Sequence, residues 1–316
     1  MRQKISYQNI TWIDINKPNE NDLDFLKKEF DLPTKLRKDY LVPIHRPKVE
    51  TFKNHIFIVI HFPVFHPKTR QTKAVELDII LTPNAVITSH PDKIDSLDIL
   101  FNDCSVQDYL KKLYFKNTPY LVLNILDFLL DNCLPMLDHI SEHIDKIEDQ
   151  VFKGKQKEML VEIAIVKRDI IDIRRCIKPQ KTILKQIAKK MTYFYKRILK
   201  LPDSKVYKAN IEALNREVIG SHMRLWHLLE NHKEMIESIE ETNNSLLTNK
   251  TNEIVKILTI ISFITFPLSV IAGIFGMNVF ENHSFAQNPS TFWIIMLVMM
   301  LSALIMFAYF RKKKWL

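Results

Sequence analysis

Residues 256–281 read KILTIISFITFPLSVIAGIFGMNVFE, and this stretch decides the architecture of the chain. Between the lysine and the glutamate at its ends, this stretch carries no charged residue, so it exceeds the roughly 20 apolar residues that a helix needs to cross a bilayer. A second uncharged run, at 291–310, is again about 20 residues long, and its centre is apolar on every face. We therefore predict two transmembrane helices, at 254–275 and 291–310, rather than a buried hairpin of a soluble core.

The basic residues after the second run predict its orientation. Residues 311–316 begin Arg-Lys-Lys-Lys, part of a net charge of +9, and the positive-inside rule places such a tail in the cytoplasm. The connection 276–290 then lies outside, and both termini lie in the cytoplasm. The first residues contain no apolar core of signal-peptide length, so we expect a multi-pass protein of the inner membrane. The position of the basic excess favours membrane orientation and argues against nucleic-acid binding.

The segment before the first span predicts one very long helix. Pro202 is followed by no proline until Pro267, and apolar residues recur three and four positions apart between them. If it is unbroken over 204–275, this helix is on the order of 100 Å long, at about 1.5 Å per residue. A single helix of that length needs partners, which indicates an oligomer. The alternative is two helices broken near Gly220 or at Asn243-Asn244.

The first 200 residues predict a cytosolic α/β domain with a small mixed or largely antiparallel sheet. Apolar, β-branched runs predict strands at 10–15, 55–62, 75–81 and 85–90. Helical spacing is expected at 19–30, 108–114, 120–152, 158–176 and 181–199. Breaks between these helices are expected at Pro135, Pro179 and Pro202.

Glycine and cysteine usage excludes several classes of protein. The four glycines can build neither a Walker loop nor a dinucleotide fingerprint, which argues against an ATP-driven pump or a Rossmann enzyme. The three cysteines are far apart, so we expect neither a zinc knuckle nor a disulfide framework. No nucleophile–base arrangement stands out, and we expect a protein that is not an enzyme.

Small and hydroxyl residues fall on one face of the first predicted span. Starting at Val255, steps of about 3.6 residues reach Leu258 or Thr259, Ser262, Phe266, Ser269 and Gly273. Such a face means either close helix packing or a wet lumen, and the residues alone leave both open. Two helices cannot enclose an aqueous path, so conduction requires a ring of subunits.

The turn Gly276-Met277-Asn278 closes this span. By itself it is typical of a helix end, since glycine permits the left-handed C′ conformation and asparagine tolerates turns. Its context is more specific, because a short outer loop, a final span and the ending Lys313-Lys314-Trp315-Leu316 follow it. Together with residues 251–261, this arrangement resembles the CorA family of magnesium channels. The resemblance also touches residues 12–15 and 76–84 of the cytosolic domain.

The resemblance implies a homopentameric funnel in the bilayer. Its parts would be a cytosolic domain at 1–200, a stalk helix at 203–253, a pore-lining span at 254–275, a filter motif and outer loop at 276–290, an outer span at 291–310 and a basic cytosolic tail at 311–316. Five Gly-Met-Asn turns would ring the outer mouth, with Gly276 letting the backbone approach the axis. The amide oxygens of Asn278 could then hold a hydrated Mg²⁺ without stripping its octahedral shell.

The resemblance also implies which residues line the pore. They are Asn252, Val255, Leu258, Ser262, Phe266, Ser269 and Gly273, with Leu258 at an apolar constriction. Val255 and Phe266 stand where the family often has gating methionines, and both suit a hydrophobic gate that dewets. Glu281 is the only acid of the outer loop, so attraction of cations to the mouth should be weaker than is usual in the family.

A regulatory role for cytosolic Mg²⁺ is the last implication, since binding between cytosolic domains would hold the pore shut. The candidate ligands, for which a solvated stalk face is the alternative explanation, are Glu217, Glu234, Glu241, Asp92 and Asp95. His139 and His143, four positions apart on a predicted helix, form either a metal pair or part of a solvated acidic face. A basic belt could lie near anionic lipid or the inner mouth, or simply aid solubility; it comprises Lys181, Lys185, Lys189, Lys190, Lys196, Arg197 and Lys200.

We therefore expect passive Mg²⁺ uptake driven by the membrane potential, with Co²⁺ or Ni²⁺ as further substrates and cytosolic Mg²⁺ as the regulatory ligand. A zinc transporter like ZntB, a relative that shares the fold, is the first alternative. A membrane-anchored module that conducts no ion is the second.

Overall fold

The described part of the computed structural model divides into two compact units, which meet in the sequence between Glu240 and Glu241. The described residues are 2–31, 46–67, 69, 71–198, 205–277, 290–313 and 315. The first unit contains a sheet and most of the helices. The second unit contains the end of one long helix and the whole of the last helix.

A six-stranded mixed sheet forms the centre of the first unit. Its strands are β1 (Arg2–Tyr7), β2 (Ile10–Asn16), β3 (Lys48–Thr51), β4 (Ile56–His66), β5 (Gln71–Leu81) and β6 (Ala85–His90), in the spatial order β1-β2-β6-β5-β4-β3. The pair β2 and β6 is parallel, whereas the other neighbours are antiparallel. The prediction of a small mixed sheet is confirmed.

Two edge strands were missing from the prediction. β1 and β3 each bury a single side chain, Ile5 and Val49, so neither shows the apolar alternation by which a strand is identified in a sequence. The ribbon of β4 and β5 is also longer than predicted. It continues past Pro63, which pairs with Ala74, to the pair formed by His66 and Gln71.

Eight helices lie within the described residues. They are α1 (Glu20–Phe30), α2 (Asp95–Val106), α3 (Asp108–Tyr114), α4 (Thr118–Asp131), α5 (Leu134–Phe152), α6 (Gln156–Ile198), α7 (Lys205–Phe275) and α8 (Ser290–Lys312). In the first unit, α6 packs on β3, β4 and β5, and α4 packs on β5 and β6. The sheet is thus shielded from water by helices, with Trp12, Phe57 and Ile60 fully buried in its strands.

The predicted break at Pro179 is wrong, because α6 runs through this proline as one helix of 43 residues. A proline inside a helix removes a hydrogen bond and crowds the preceding turn. Here the apolar face continues on both sides of it, with Ile177 and Leu184 fully buried. The next residue, Gln180, donates from Nε2 to the carbonyl of His61 on β4 at 2.6 Å. Packing against the sheet therefore outweighs the local cost of the proline.

The predicted helix at 120–152 is two helices. α4 ends at Asp131 and α5 begins at Leu134, with Pro135 in the first turn of α5, where its missing N–H costs nothing. This segment is apolar enough to cross a membrane by composition, but half of its most apolar window is buried inside the structure. The corresponding windows of α7 and α8 are only 6% buried. The apolar residues of α4 and α5 thus serve the core of the first unit.

The long helix predicted at 204–275 is confirmed as the single helix α7 of 71 residues. Neither Gly220 nor the pair Asn243-Asn244 interrupts it, so the alternative of two helices is wrong. Its first half packs in the first unit through buried Leu225, Leu229 and Ile236. A salt bridge of 2.8 Å between Arg174 and Glu230 joins it to α6.

Candidate functional site

The second unit packs α8 against one face of α7. Ile260 and Phe310 are the buried apolar side chains of this contact, and the rings of Phe263 and Phe310 meet edge to face with centroids 6.0 Å apart. On α7, Ile264 and Ile271 are half-buried and continue the same face. This spacing of three and four residues marks the side of α7 that is satisfied within the chain.

The predicted pore stripe lies on the opposite side of α7. At about 100° per residue, Leu258, Ser262 and Gly273 project between roughly 160° and 220° around the helix from Ile260. All the predicted lining residues are exposed in the chain, including Asn252 on the flank of the stripe. Among its large apolar members, Phe266 is 72% exposed and Leu258 is 61% exposed. The stripe therefore does not pack closely against α8. Close helix packing was one of the two explanations that the sequence had left open, and within one chain it does not apply.

Two threonine hydroxyls on this half of α7 are satisfied by the helix itself. Thr259 donates from Oγ1 to the carbonyl of Val255 at 2.7 Å, and Thr265 donates to the carbonyl of Ile261 at 2.8 Å. Such back-bonding lets a threonine lie in an apolar environment without an orphaned donor. A surface groove also runs along the stripe and is lined by Leu258, Thr259, Ser262, Phe263, Phe266 and Pro267.

The helix ends at Phe275, where the Gly-Met-Asn motif begins. The N–H of Gly276 donates to the carbonyl of Ala272 at 2.9 Å, and the N–H of Met277 donates to that of Ile274 at 3.3 Å. Gly276 does not adopt the left-handed conformation that a glycine permits at a helix end, since Gly154 is the glycine with positive φ among the described residues. Glycine is favoured here for a different reason: a Cβ at position 276 would lie 3.0 Å from the Ala272 oxygen, so that a side chain would require a small shift.

Two of the three motif residues are therefore described. Met277 is exposed, with 56% of its surface open to solvent. Asn278, on which the filter prediction rests most heavily, lies outside the described residues, as do Glu281 and the rest of the loop through residue 289.

The five candidate regulatory carboxylates are all exposed. Asp95 is paired with Lys93 at 2.6 Å, which gives it a partner within the first unit. Glu217 has a more informative neighbourhood, because its charge and that of Asp131 reach Asp127 on α4. The pKa of Asp127 is raised by burial first and then by these two carboxylates, while the Ser221 hydroxyl donates to it at 2.9 Å.

Asp127 is a site candidate that sequence reasoning missed. It lies in the apolar run of α4, where the prediction registered only helical spacing. The one available signal was its separation of four residues from Asp131, which places both acids on one side of a helix. That signal becomes meaningful only when α7 brings Glu217 and Ser221 to the same place.

The histidine pair does not act together in the structure. His143 lies 3.0 Å from Glu162, measured from Nε2 to Oε2, whereas His139 is exposed. Both histidines line a cavity of about 190 Å³ with Asp169 and mostly apolar side chains. Within the described residues, the three potential metal ligands that lie close together are a different set, which does not include these histidines.

The basic belt is only partly described. Lys190 donates from Nζ to the carbonyl of Val49, which ties it to the edge strand β3. The side chains of Lys196 and Arg197, and all of Lys200, lie outside the described residues. The belt is therefore not a uniform row of solvated lysines.

The set of potential metal ligands that the structure brings together is Asp14, His90 and Asp98. One donor atom from each lies within 4.8 Å of the others. Burial by itself lowers the pKa of His90, but the hydrogen bond and charge of Asp14, with the contributions of Asp92 and Asp98, raise it overall. Sequence reasoning missed this set, because Asp14 and His90 are 76 positions apart in the sequence and meet only when β2 pairs with β6.

Comparison with known proteins bears on the whole chain. A family model described as "CorA-like Mg2+ transporter protein" matches residues 7–312. The chain is 28% identical to the cobalt/magnesium transport protein CorA of Thermotoga maritima, over 97% of this chain and 83% of that one.

Solved structures share the fold. The complete structure of the CorA magnesium transporter from Methanocaldococcus jannaschii superposes with a TM-score of 0.78 at 23% identity, covering 99% of this chain and 94% of that one. The cytoplasmic domain of ZntB from Vibrio parahaemolyticus gives a TM-score of 0.59 at 12% identity, covering 77% and 90%. At these identities the likeness concerns the fold alone. It extends over nearly the whole chain for the first protein and stops at the cytoplasmic domain for the second.

Proposed function

The chain belongs to the CorA-like Mg²⁺ transporter family, and from this premise we propose that it forms a homopentameric membrane pore for uptake of Mg²⁺, with Co²⁺ or Ni²⁺ as further substrates. The membrane potential drives the ion inward through the pore. Both termini lie in the cytoplasm, and the connection between α7 and α8 faces outward, as the basic residues after α8 favour.

One observation carries this proposal: α7 turns its stripe of small, hydroxyl and apolar residues away from α8. A helix in lipid gains little by exposing Ser262, Ser269 and Gly273 to hydrocarbon, and such residues are typical of helix contacts or of a water-filled path. Since α8 covers the other face, the stripe is available to neighbouring copies of α7. A ring of these faces encloses a path, which two helices of one chain cannot do.

The proposed filter is the ring of Gly276-Met277-Asn278 turns at the outer end of this path. The carbonyl of Ala272 lies so close to Gly276 that a side chain there would force the turn to move. Neutral amide oxygens of Asn278 would bind the hydrated ion weakly. Weak binding suits conduction, because an ion must leave a site as readily as it reaches one, and Mg²⁺ loses its own water slowly.

The apolar residues of the stripe provide the proposed gate. Val255, Leu258 and Phe266 expose most of their surface on the conducting side. In a narrow ring such side chains exclude water, and an ion cannot pass a dry constriction. A small outward movement of α7 would wet the path without breaking any hydrogen bond of the helix.

Cytosolic Mg²⁺ is the proposed signal that closes this gate. Glu217 is the best-supported of the regulatory candidates, because its charge reaches Asp127, which is also near Asp131. Arg224 already contacts Asp131 at 3.3 Å, so a bound cation would add to the positive charge that this arginine supplies. Mg²⁺ would dissociate from this site when its cytosolic concentration falls. In the flux assay described next, Mg²⁺ added on the side of the first unit should therefore slow transport; an unchanged rate would contradict this step.

Flux through reconstituted vesicles tests the filter. The full-length chain is placed in liposomes with an internal Mg²⁺-sensitive dye, and an inside-negative potential is imposed with K⁺ and valinomycin. Asn278→Ala should abolish Mg²⁺ uptake while leaving assembly intact. The matched control is Asn288→Ala, which makes the same change in the same connection outside the motif and should transport like the unmodified chain. Uptake by Asn278→Ala at the unmodified rate would show that the filter lies elsewhere.

The same vesicles separate the alternatives. A ZntB-like transporter should carry Zn²⁺ in preference to Mg²⁺ and respond to a pH gradient, whereas the proposed pore should respond to the membrane potential. A membrane-anchored module should give no flux of either ion and should behave as a monomer.

A further inference from the structure

We propose that Asp14, His90 and Asp98 form a binding site for one divalent transition-metal ion, of the Zn²⁺ or Co²⁺ type, inside the first unit of each chain. Asp14 is on β2, His90 ends β6 and Asp98 is in the first turn of α2. The site is separate from the conduction path and does not depend on the proposed transport function.

The strand register brings the first two ligands together. β2 and β6 are parallel neighbours in which Asp14 is opposite Thr88 and Asn16 is opposite His90. Asp14, Thr88 and His90 therefore share one face of the sheet, since side chains alternate along a strand. α2 covers this face, as the edge-to-face contact between Trp12 and Phe101, at 4.9 Å, shows.

Asp14 is held in a fixed orientation by a chain of hydrogen bonds. The indole Nε1 of Trp12 donates to the hydroxyl of Thr88 at 3.0 Å, and that hydroxyl donates to Oδ1 of Asp14 at 2.5 Å. Trp12 and Thr88 are fully buried, and Asp14 is 4% exposed. The second carboxylate oxygen, Oδ2, is left facing His90.

The imidazole of His90 is also oriented. Its Nδ1 lies 2.7 Å from the carbonyl of Asp92, and because a carbonyl only accepts, Nδ1 must carry the hydrogen. When the ring is neutral, it presents the lone pair of Nε2 to the carboxylate of Asp14. A second-shell carbonyl that fixes the tautomer in this way is the usual partner of a metal-binding histidine.

The separation of the donor atoms fits a metal better than a direct hydrogen bond. Nε2 of His90 lies 3.4 Å from Oδ2 of Asp14, which is long for a hydrogen bond to a carboxylate. Two ligands at about 2.1 Å from a tetrahedral ion are separated by roughly 3.4 Å. The carboxylate of Asp98 completes a set of one nitrogen and two oxygens within 4.8 Å.

Charge balance also favours a cation at this place. Two carboxylates and a nitrogen lone pair converge where His90 is fully buried, so an uncompensated arrangement is costly. Lys93 contacts Asp98 at 3.6 Å, but its side chain is 64% exposed and lies on the solvent side. An imidazole ligand selects Zn²⁺ or Co²⁺ over Mg²⁺, which prefers an all-oxygen shell.

Cobalt titration of the full-length chain tests this proposal. The detergent-purified protein, first treated with a chelator, is titrated with Co²⁺ while its visible absorption is recorded. A site with histidine and few ligands gives strong d–d bands, whereas hydrated Co²⁺ absorbs weakly. We expect one equivalent per chain, unaffected by excess Mg²⁺. His90→Gln and Asp98→Asn should each weaken binding by roughly tenfold or more.

Two matched variants serve as controls. Asp103→Asn makes the same change as Asp98→Asn further along α2, and His227→Gln replaces an exposed histidine of α7; both should titrate like the unmodified chain. Asn278→Ala should also retain the signal, which separates this site from the filter. Thermal unfolding without metal shows whether a variant is folded. If His90→Gln is not folded, the Co²⁺ titration of Asp98→Asn decides whether the site binds metal.

The proposal fails under either of two outcomes. The first is a chain that gives no stoichiometric absorption change with Co²⁺ and no stabilisation by Zn²⁺. The second is an equal titration in the unmodified, His90→Gln and Asp98→Asn chains. In both cases the cluster is a plain ion pair between a protonated His90 and its two aspartates.

Discussion

Gly276 is the first residue after the end of α7, where the proposed filter motif begins. The helical hydrogen bond from its N–H to Ala272 is kept, and the chain then leaves the helix within two residues. The constraint is steric: a Cβ at this position would lie 3.0 Å from the backbone oxygen of Ala272, so one of the two would have to shift by a few tenths of an ångström. The close approach of the Ala272 carbonyl therefore favours glycine at position 276.

Gly276→Ala should reduce Mg²⁺ flux at least about tenfold, because the turn that carries the filter must shift to relieve the contact. The measurement is the liposome assay, with the amount of reconstituted protein equalised. Gly220→Ala is the control, since a Cβ at position 220 meets nothing within 4 Å. Equal flux in Gly276→Ala and the unmodified chain would mean that the turn tolerates a side chain and that the close contact is not a constraint on function.

At the scale of elements, α7 has two faces with different tasks. The face around Ile260 is covered by α8, and the opposite face carries the stripe. Exposed apolar residues are found on both α7 and α8, so exposure alone does not separate lipid-facing from pore-facing positions. The two helices differ in composition instead, because serine and glycine recur on the stripe of α7.

A pair of identical substitutions distinguishes the pore face from the lipid face. Leu258→Ser places a hydroxyl at the proposed constriction, so it should wet the gate, raise basal Mg²⁺ flux several-fold and weaken inhibition by Mg²⁺. Leu301→Ser makes the same change on α8, where the leucine is 50% exposed, and should leave flux near that of the unmodified chain. If the two variants behave alike in the liposome assay, the stripe does not line the pore.

At the scale of the whole molecule, one chain leaves too much apolar surface uncovered to function alone. The most apolar windows of α7 and α8 are only 6% buried. Lipid can cover the apolar part of this surface, but a stripe of serine and glycine gains little from contact with lipid. Closed rings satisfy such a surface by repeating one heterologous contact. The proposed pore is thus a property of the proposed assembly.

The assembly is tested by its mass. We expect native mass spectrometry or light scattering in detergent to give about five times the chain mass of 37.4 kDa. The same value is expected for Asn278→Ala, because the filter residue does not hold the ring together. A monomer or dimer under conditions in which vesicles conduct would contradict the proposed pentamer.

Several features were predictable because their causes are local in the sequence. Uncharged runs of bilayer length predict α7 and α8, and the unbroken apolar periodicity before them predicts one helix of 71 residues. The strands β2, β4, β5 and β6 were recognisable because both of their faces, or one complete face, are apolar. The family resemblance came from the same region, where the motif and the last span follow each other directly.

Other features depended on contacts between distant residues. The edge strands β1 and β3 exist because the sheet offers them partners, and α6 continues through Pro179 because β4 packs against it. Asp127 became a candidate only beside Glu217, and Asp14 meets His90 across 76 positions because β2 and β6 pair in parallel. The sequence by itself determined the membrane spans and the long helix, since burial of apolar runs and helical periodicity act over neighbouring residues. Only the tertiary structure decided which face of α7 is left open and which polar side chains converge, since both follow from packing between segments far apart in the chain.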